Sequence, residues 1–153
     1  MTGYPTIKFF PKGSTEGEIY QGGRSEEAFV EFLNKKAGTH RAPGGGLDDK
    51  AGTVPALDEL VAKYTSSQNF NELGSEIKKA AKGVQDKYSE YYVKVAEKLS
   101  QNSEYAVKEF NRLKKVLSKG GSAPEKIDDL ISRSNILRRF LGQEEKENVK
   151  DEL

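Results

Sequence analysis

Cysteine is absent from the 153 residues. That excludes disulfides, thiolate zinc sites and thiol redox chemistry carried by this chain itself. Histidine occurs once, at His40, which excludes a two-histidine metal site. Charge of one sign is not in excess: 25 Lys and Arg stand against 24 Asp and Glu. The balance holds locally, with 7 basic and 7 acidic side chains in residues 1–50 and 18 and 17 in residues 51–153. The count gives no support for the basic stripe of a nucleic-acid binder or for polybasic attachment to a membrane surface. No apolar run approaches the ~20 residues of a membrane span. No Asn-x-Ser/Thr sequon occurs, so no N-glycan is expected.

What is present is a modest apolar content. Leu, Ile, Val and Phe together supply 34 of 153 residues, just above the ~20% below which chains tend to stay disordered. Mean hydropathy is −0.75. A small core with wide charged faces follows, built mainly from helices.

Residues 4–10, Tyr-Pro-Thr-Ile-Lys-Phe-Phe, read as a strand, with Pro5 at its start where a missing N–H does least harm. Pro11-Lys12-Gly13-Ser14 is a turn signal, Glu18-Ile19-Tyr20 a short second strand, and Gln21-Gly22-Gly23-Arg24 a break. Ser25 is then an N-cap with Glu26 and Glu27 in the first turn, followed by Ala28, Phe29, Phe32 and Leu33 at helical spacing and Gly38 as a stop. A unit of this size rarely folds without staples, and its hairpin leaves long unpaired edges. It reads as half of a domain.

Residues 37–52 are rich in glycine and broken by Ala42-Pro43, the composition of a flexible linker. Gly44-Gly45-Gly46 is no phosphate-binding fingerprint: no Gly-Lys-Ser/Thr follows and no strand feeds it. His40 reads as a solvated linker residue. Beyond the linker only helical periods occur. Leu57, Leu60, Val61 and Tyr64 make a first apolar stripe, opened near Pro55. Phe70, Leu73, Ile77, Ala81 and Val84 make a second, opened by the capping box Asn69-x-x-Glu72. Val84, Tyr88, Tyr91, Val95 and Leu99 make a third, widened by Tyr92 and Ala96. Ala106, Val107, Phe110, Leu113 and Leu117 make a fourth, closed by Gly120-Gly121. Ile127, Leu130, Ile131, Leu137 and Leu141 make a fifth, with Ser122-x-x-Glu125 predicted as its capping box and Gly142 as its end. Five helices joined by short breaks predict an all-α bundle large enough to fold alone. The cluster Tyr88, Tyr91 and Tyr92 reads as core and rim packing rather than as a binding site.

Gly3-Tyr4-Pro5-Thr6, the strand after it, Pro11-Lys12-Gly13, Tyr20, Gly22, Arg24 and the acidic-capped helix resemble the C-terminal ββα half of a thioredoxin-fold domain of the protein disulfide isomerase type. The resemblance implies that Pro5 is the cis-proline facing a redox dithiol and that Tyr4, Pro5 and Thr6 line a substrate groove. The Cys-x-x-Cys of that family belongs to the first half of the fold, which this sequence lacks. Val54-Pro55-x-Leu57-Asp58, Tyr92-Val93-Lys94-Val95 before Glu97-Lys98-Leu99, and Ser134-Asn135-Ile136-Leu137 with Phe140 resemble the helical D domain of the disulfide-isomerase D subfamily, a domain that also ends a redox-inactive ER chaperone. The implied architecture is mostly α: a partial thioredoxin-like unit over 1–37, a flexible linker over 38–52, a five-helix D domain over 53–142, and a charged, disordered tail over 143–153.

The last four residues, Lys150-Asp151-Glu152-Leu153, spell the ER-retention signal read by a luminal receptor. Met1-Thr2-Gly3-Tyr4 carries neither the charged nor the apolar region of an entry signal, so the expectation is the C-terminal part of a longer ER-lumen precursor. Three functions follow. In the first, the chain is a segment of a disulfide isomerase, inactive alone because it has no thiol. In the second, it is a redox-inactive chaperone module. In the third, it is a helical scaffold with an adventitious terminus. The implied partners are unfolded or disulfide-containing clients and the retention receptor. No cofactor, catalytic residue or metal is expected, and neither nucleic acid nor membrane insertion.

Overall fold

The computed structural model describes residues 4–142. Contacts divide the chain between Gly45 and Gly46. The charged tail and Lys150-Asp151-Glu152-Leu153 lie outside the described residues, as do Met1-Thr2-Gly3.

In the first unit, β1 (Lys8–Phe9) pairs antiparallel with β2 (Glu18–Ile19), Lys8 opposite Ile19 and Phe9 opposite Glu18. The strand predicted over residues 4–10 is paired only over these two residues, because its partner is equally short. Ser14 N–H donates to the Pro11 carbonyl at 3.0 Å and closes the turn between them. Helix α1 (Glu26–Ala37) begins as its sequence predicts, with Ser25 Oγ accepting from the Ala28 N–H and two acids in the first turn. Its inner face meets the sheet through rings. Phe9 stands edge-on to Phe32 at 5.5 Å, and Tyr20 packs on Phe29 at 5.1 Å and on Phe32 at 4.8 Å. No residue of α1 is buried, and Phe10 (57%), Ile19 (60%) and Leu33 remain exposed. Without a core, local opening costs little. Amide exchange over 5–36 is therefore expected to be fast compared with the buried helices of the second unit. Equal protection of Phe32 and Val95 would refute this.

The second unit holds five helices: α2 (Pro55–Thr65), α3 (Phe70–Ala81), α4 (Ser89–Gln101), α5 (Tyr105–Lys119) and α6 (Pro124–Phe140). α3 packs on α2 and α4, and α6 packs on α5, α2 and α4. Leu57, Val61, Leu73, Ile77, Tyr92, Val95, Leu113, Ile136 and Leu137 are sealed between them. Each of the five predicted stripes places at least two members in this core. Val107, at the head of the fourth, is exposed. The stripe predicted for α6 is incomplete. Ser132, Ser134, Asn135, Ile136 and Phe140 are also buried, so the C-terminal half of this helix is covered nearly all round. None of the described helices is long and apolar enough to cross a membrane.

Two local expectations give way. Val84 and Tyr88 pack against the core as predicted but precede α4 instead of belonging to it. Asp86 interposes a turn, its Oδ1 accepting from Tyr88 N–H at 2.8 Å and its carbonyl from Ser89 N–H. The capping box at Ser122 does not form. Pro124 holds the residue before it in the extended region, so Ala123, at φ −60° and ψ 148°, becomes the N-cap and offers no side chain. The capping half of the Asn69 box forms, Asn69 Oδ1 accepting from Glu72 N–H at 3.4 Å, and Glu72 Oε2 accepts from the Asn69 side-chain Nδ2 at 2.7 Å. Asn69→Ala should thus cost about 1 kcal/mol, whereas Ser122→Ala should stay within about 0.5 kcal/mol. Urea unfolding of the two variants checks both.

The glycine-rich segment, predicted flexible through Gly52, becomes packed structure over its last residues. Ala51 is only 4% exposed. Asn135 Nδ2 donates to the Asp48 carbonyl at 2.9 Å and to the Ala51 carbonyl at 3.1 Å. Asp48 Oδ1 accepts from Lys50 and Ala51 N–H. Residues 48–54 form a strap over α6, held by Asn135 from more than eighty positions away and by Tyr92 from 38.

Candidate functional site

The loop before β1 carries the candidate groove residues. The Tyr4–Pro5 peptide is cis. Tyr4 is 96% exposed, and Pro5 and Thr6 are exposed beside it. The three are therefore contiguous on an open surface. Behind them Tyr20 N–H donates to the Ile7 carbonyl at 2.8 Å. The Tyr20 hydroxyl donates to the Gly23 carbonyl at 2.7 Å. Gly22 lies directly against that hydroxyl, where an added Cβ would come within 2.5 Å of the oxygen. The Tyr20-x-Gly22 pair thus folds the chain back onto the Tyr20 ring, which packs on Phe29 and Phe32 of α1. Lys36 pairs with Glu18 and lies over the Phe9 ring, tying α1 to the hairpin. His40 lies at an exposed position after α1.

In the bundle, three of the residues that carry the D-domain resemblance, Val54, Asp58 and Tyr92, converge on a buried polar knot. Tyr92 is fully buried. Its hydroxyl donates to Asp58 Oδ1 at 2.5 Å and accepts from Val54 N–H at 3.0 Å. Arg139 Nε stands 3.6 Å from Asp58 Oδ2. Burial drives the Tyr92 hydroxyl far above the ordinary tyrosine range, with the Asp58 carboxylate adding to it. Burial also raises the Asp58 carboxyl, against the Tyr92 hydrogen bond and the Arg139 charge that pull it down. Asp58 satisfies the tyrosine proton, and Tyr92 satisfies the N–H of Val54, the N-cap of α2, whose own side chain cannot cap the helix. The knot is structural. It contains no nucleophile, and its acid is committed.

A second cluster lies where α4, α5 and α6 meet. Arg133 stacks over the Tyr91 ring at 5.0 Å and pairs with Asp129 at 2.9 Å. The Tyr88 hydroxyl donates to the same Asp129 at 3.2 Å. Arg112 forks onto Glu109, Nε to Oε2 at 2.8 Å and Nη2 to Oε1 at 2.6 Å, and holds that carboxyl below the usual range. Burial lifts the Tyr91 hydroxyl well above the ordinary value. All three tyrosines therefore pack as core and rim. No group of three or more His, Cys, Asp or Glu able to hold a metal ion occurs among the described residues.

The sequence reading missed Arg139 and the two-carbonyl bracket of Asn135. The one signal for the bracket was a polar Asn set directly before Ile136-Leu137. Arg139 gave none, because its partner lies 81 positions earlier.

Residues 52–140 match the family model described as endoplasmic reticulum protein ERp29, C-terminal domain. The whole chain is 65% identical to "Protein disulfide-isomerase tigA" of Aspergillus niger, covering 41% of that protein. It is 54% identical to "Protein disulfide-isomerase erp38" of Neurospora crassa, covering 42%. Over 92% of the chain it is 41% identical to "Probable protein disulfide-isomerase A6" of Medicago sativa, covering 40%. The chain thus spans about two fifths of the length of these relatives.

Proposed function

We propose, since the chain belongs to the ERp29 C-terminal-domain family, that it is the C-terminal segment of an ER-lumen protein disulfide isomerase that assists oxidative protein folding. The observation that carries this reading is the 65% identity, over every residue of the chain, to a protein disulfide-isomerase of which it spans 41%. Thiol–disulfide exchange begins with a thiolate attacking a substrate disulfide. With no cysteine in these 153 residues, the exchanging thiols belong to the rest of the parent protein, and this segment binds and positions clients. Tyr4, Pro5 and Thr6 line the client groove; their exposure side by side supports that role. Residues 1–37 belong to a thioredoxin-fold domain, 38–52 link it to the D domain over 53–142, and 143–153 form the tail. Lys150-Asp151-Glu152-Leu153 addresses the protein to the ER lumen through the retention receptor.

The second reading is a redox-inactive chaperone that binds clients through the helical bundle. The absence of any cysteine favours it for the chain by itself. One measurement separates the two: the intact mass of the native protein captured through its C-terminal peptide. A mass well above 17.0 kDa, with a Cys-x-x-Cys in the added sequence, is expected for the isomerase. A mass of 17.0 kDa would leave only the chaperone.

A further inference from the structure

The bundle holds a pocket of about 420 Å³ bounded by the α2–α3 loop, the α4–α5 turn and the last turn of α6. Phe70, Leu99, Ala106 and Phe140 form its floor, and Gln68 and Ser103 stand at its rim. Among the described residues, none that lines it is charged, in a chain of which 32% is charged. Other cavities of the bundle differ: one is lined by Asp58, Glu59, Arg138 and Arg139, another by Lys87, Glu90, Lys94 and Arg133. The hydroxyls in the wall are already engaged, Thr65 Oγ1 donating to the Ala62 carbonyl at 3.3 Å and Ser66 Oγ to the Lys63 carbonyl at 3.0 Å. Gln68, at φ 54°, is the only non-glycine residue with positive φ among the described residues.

We propose that this pocket takes an uncharged aromatic side chain of an unfolded client segment, a deepening that rests on the client-binding role assigned above. The volume lies within the ~300–1,000 Å³ range of ligand pockets. A charged side chain would be desolvated there without a partner. A neutral ring would be removed from water and meet Phe70 and Phe140 in edge-on or offset contact. The exposed Gln68 amide and Ser103 hydroxyl lie where the peptide groups flanking that ring would pass.

The test uses the full 153-residue chain and three acetylated, amidated pentapeptides: Ala-Ala-Phe-Ala-Ala, Ala-Ala-Glu-Ala-Ala and penta-alanine. Amide chemical shifts map the contact. Suppression of aggregation of an unfolded cysteine-free protein reports client holding separately. Saturable shifts at Gln68, Phe70, Ser103 and Ala106 with the Phe peptide, unchanged between low and high salt and absent with the Glu peptide, are expected. Ser103→Lys sets a charge at the mouth from an exposed position and should weaken that binding at least tenfold while the remaining spectrum is kept. The same variant should lose client holding. Shifts centred elsewhere, equal binding of the Glu peptide, or client holding untouched by Ser103→Lys would overturn the pocket and leave the client-binding role standing. Phe-peptide shifts at the pocket in a chain that holds no client would support the site and retire that role. Shifts that appear only after residues 143–153 are removed would assign the pocket to the chain's own terminus and overturn the proposal.

Discussion

Gly52→Ala is expected to destabilise the bundle by about 3 kcal/mol, which urea unfolding followed by helical circular dichroism would register as a lower midpoint. Gly52 sits at φ +78°, in the left-handed region, and a Cβ there would lie 2.5 Å from Ser132 Cβ and 3.1 Å from Ser132 Cα. The obstacle is Ser132 Cβ, fixed directly to the α6 backbone, not the end of a flexible side chain. An alanine must therefore lift the strap from α6 or push the helix away. Lifting the strap exposes Ala51 and breaks the two bonds from Asn135, and it strains the Val54 N–H bond to Tyr92 as well. Gly46→Ala is the control. Nothing lies within 4 Å of its added Cβ and its φ is not positive, so its effect should stay within about 0.5 kcal/mol. Equal losses in the two variants would mean that the strap does not bear on the bundle.

Tyr92→Phe should cost roughly 2–3 kcal/mol at pH 7, since the lost hydroxyl leaves a buried Val54 N–H without an acceptor and a half-buried Asp58 carboxylate without its donor. The loss depends on pH, with a definite sign. Burial holds the Asp58 carboxyl above its ordinary 3.8. A raised acid binds its proton more tightly folded than unfolded. Its contribution to stability is therefore fully present below 3.8 and is lost as pH rises through the raised value. Removing the Tyr92 donor takes away the strongest influence pulling that value down, so in the variant the window extends further upward. The penalty of Tyr92→Phe should accordingly be smaller at pH 4 than at pH 7. Denaturant melts at the two pH values measure it, and a penalty independent of pH would show that the Asp58 charge plays no part in the knot.

The absence of cysteine, the even charge and the five apolar periods were properties of the sequence alone. They were legible because each rests on composition or on the 3.6-residue repeat, which act locally. Ser25 and Asn69 worked as caps for the same reason: their partners lie three residues away. Ser122 failed as a cap because the adjacent Pro124 overrode it, and Val84 to Tyr88 left the helix because Asp86 supplied a competing turn. The motif residues Asp58, Tyr92 and Asn135 stood out in the sequence as a resemblance without a physical reason. That reason is tertiary. Tyr92 reaches Asp58 across 34 positions and Val54 across 38, and Asn135 reaches Asp48 across 87. No local period encodes such distances. The uncharged pocket is decided the same way, because Phe70, Leu99, Ala106 and Phe140 come from four different helices and share a wall only after the bundle has closed.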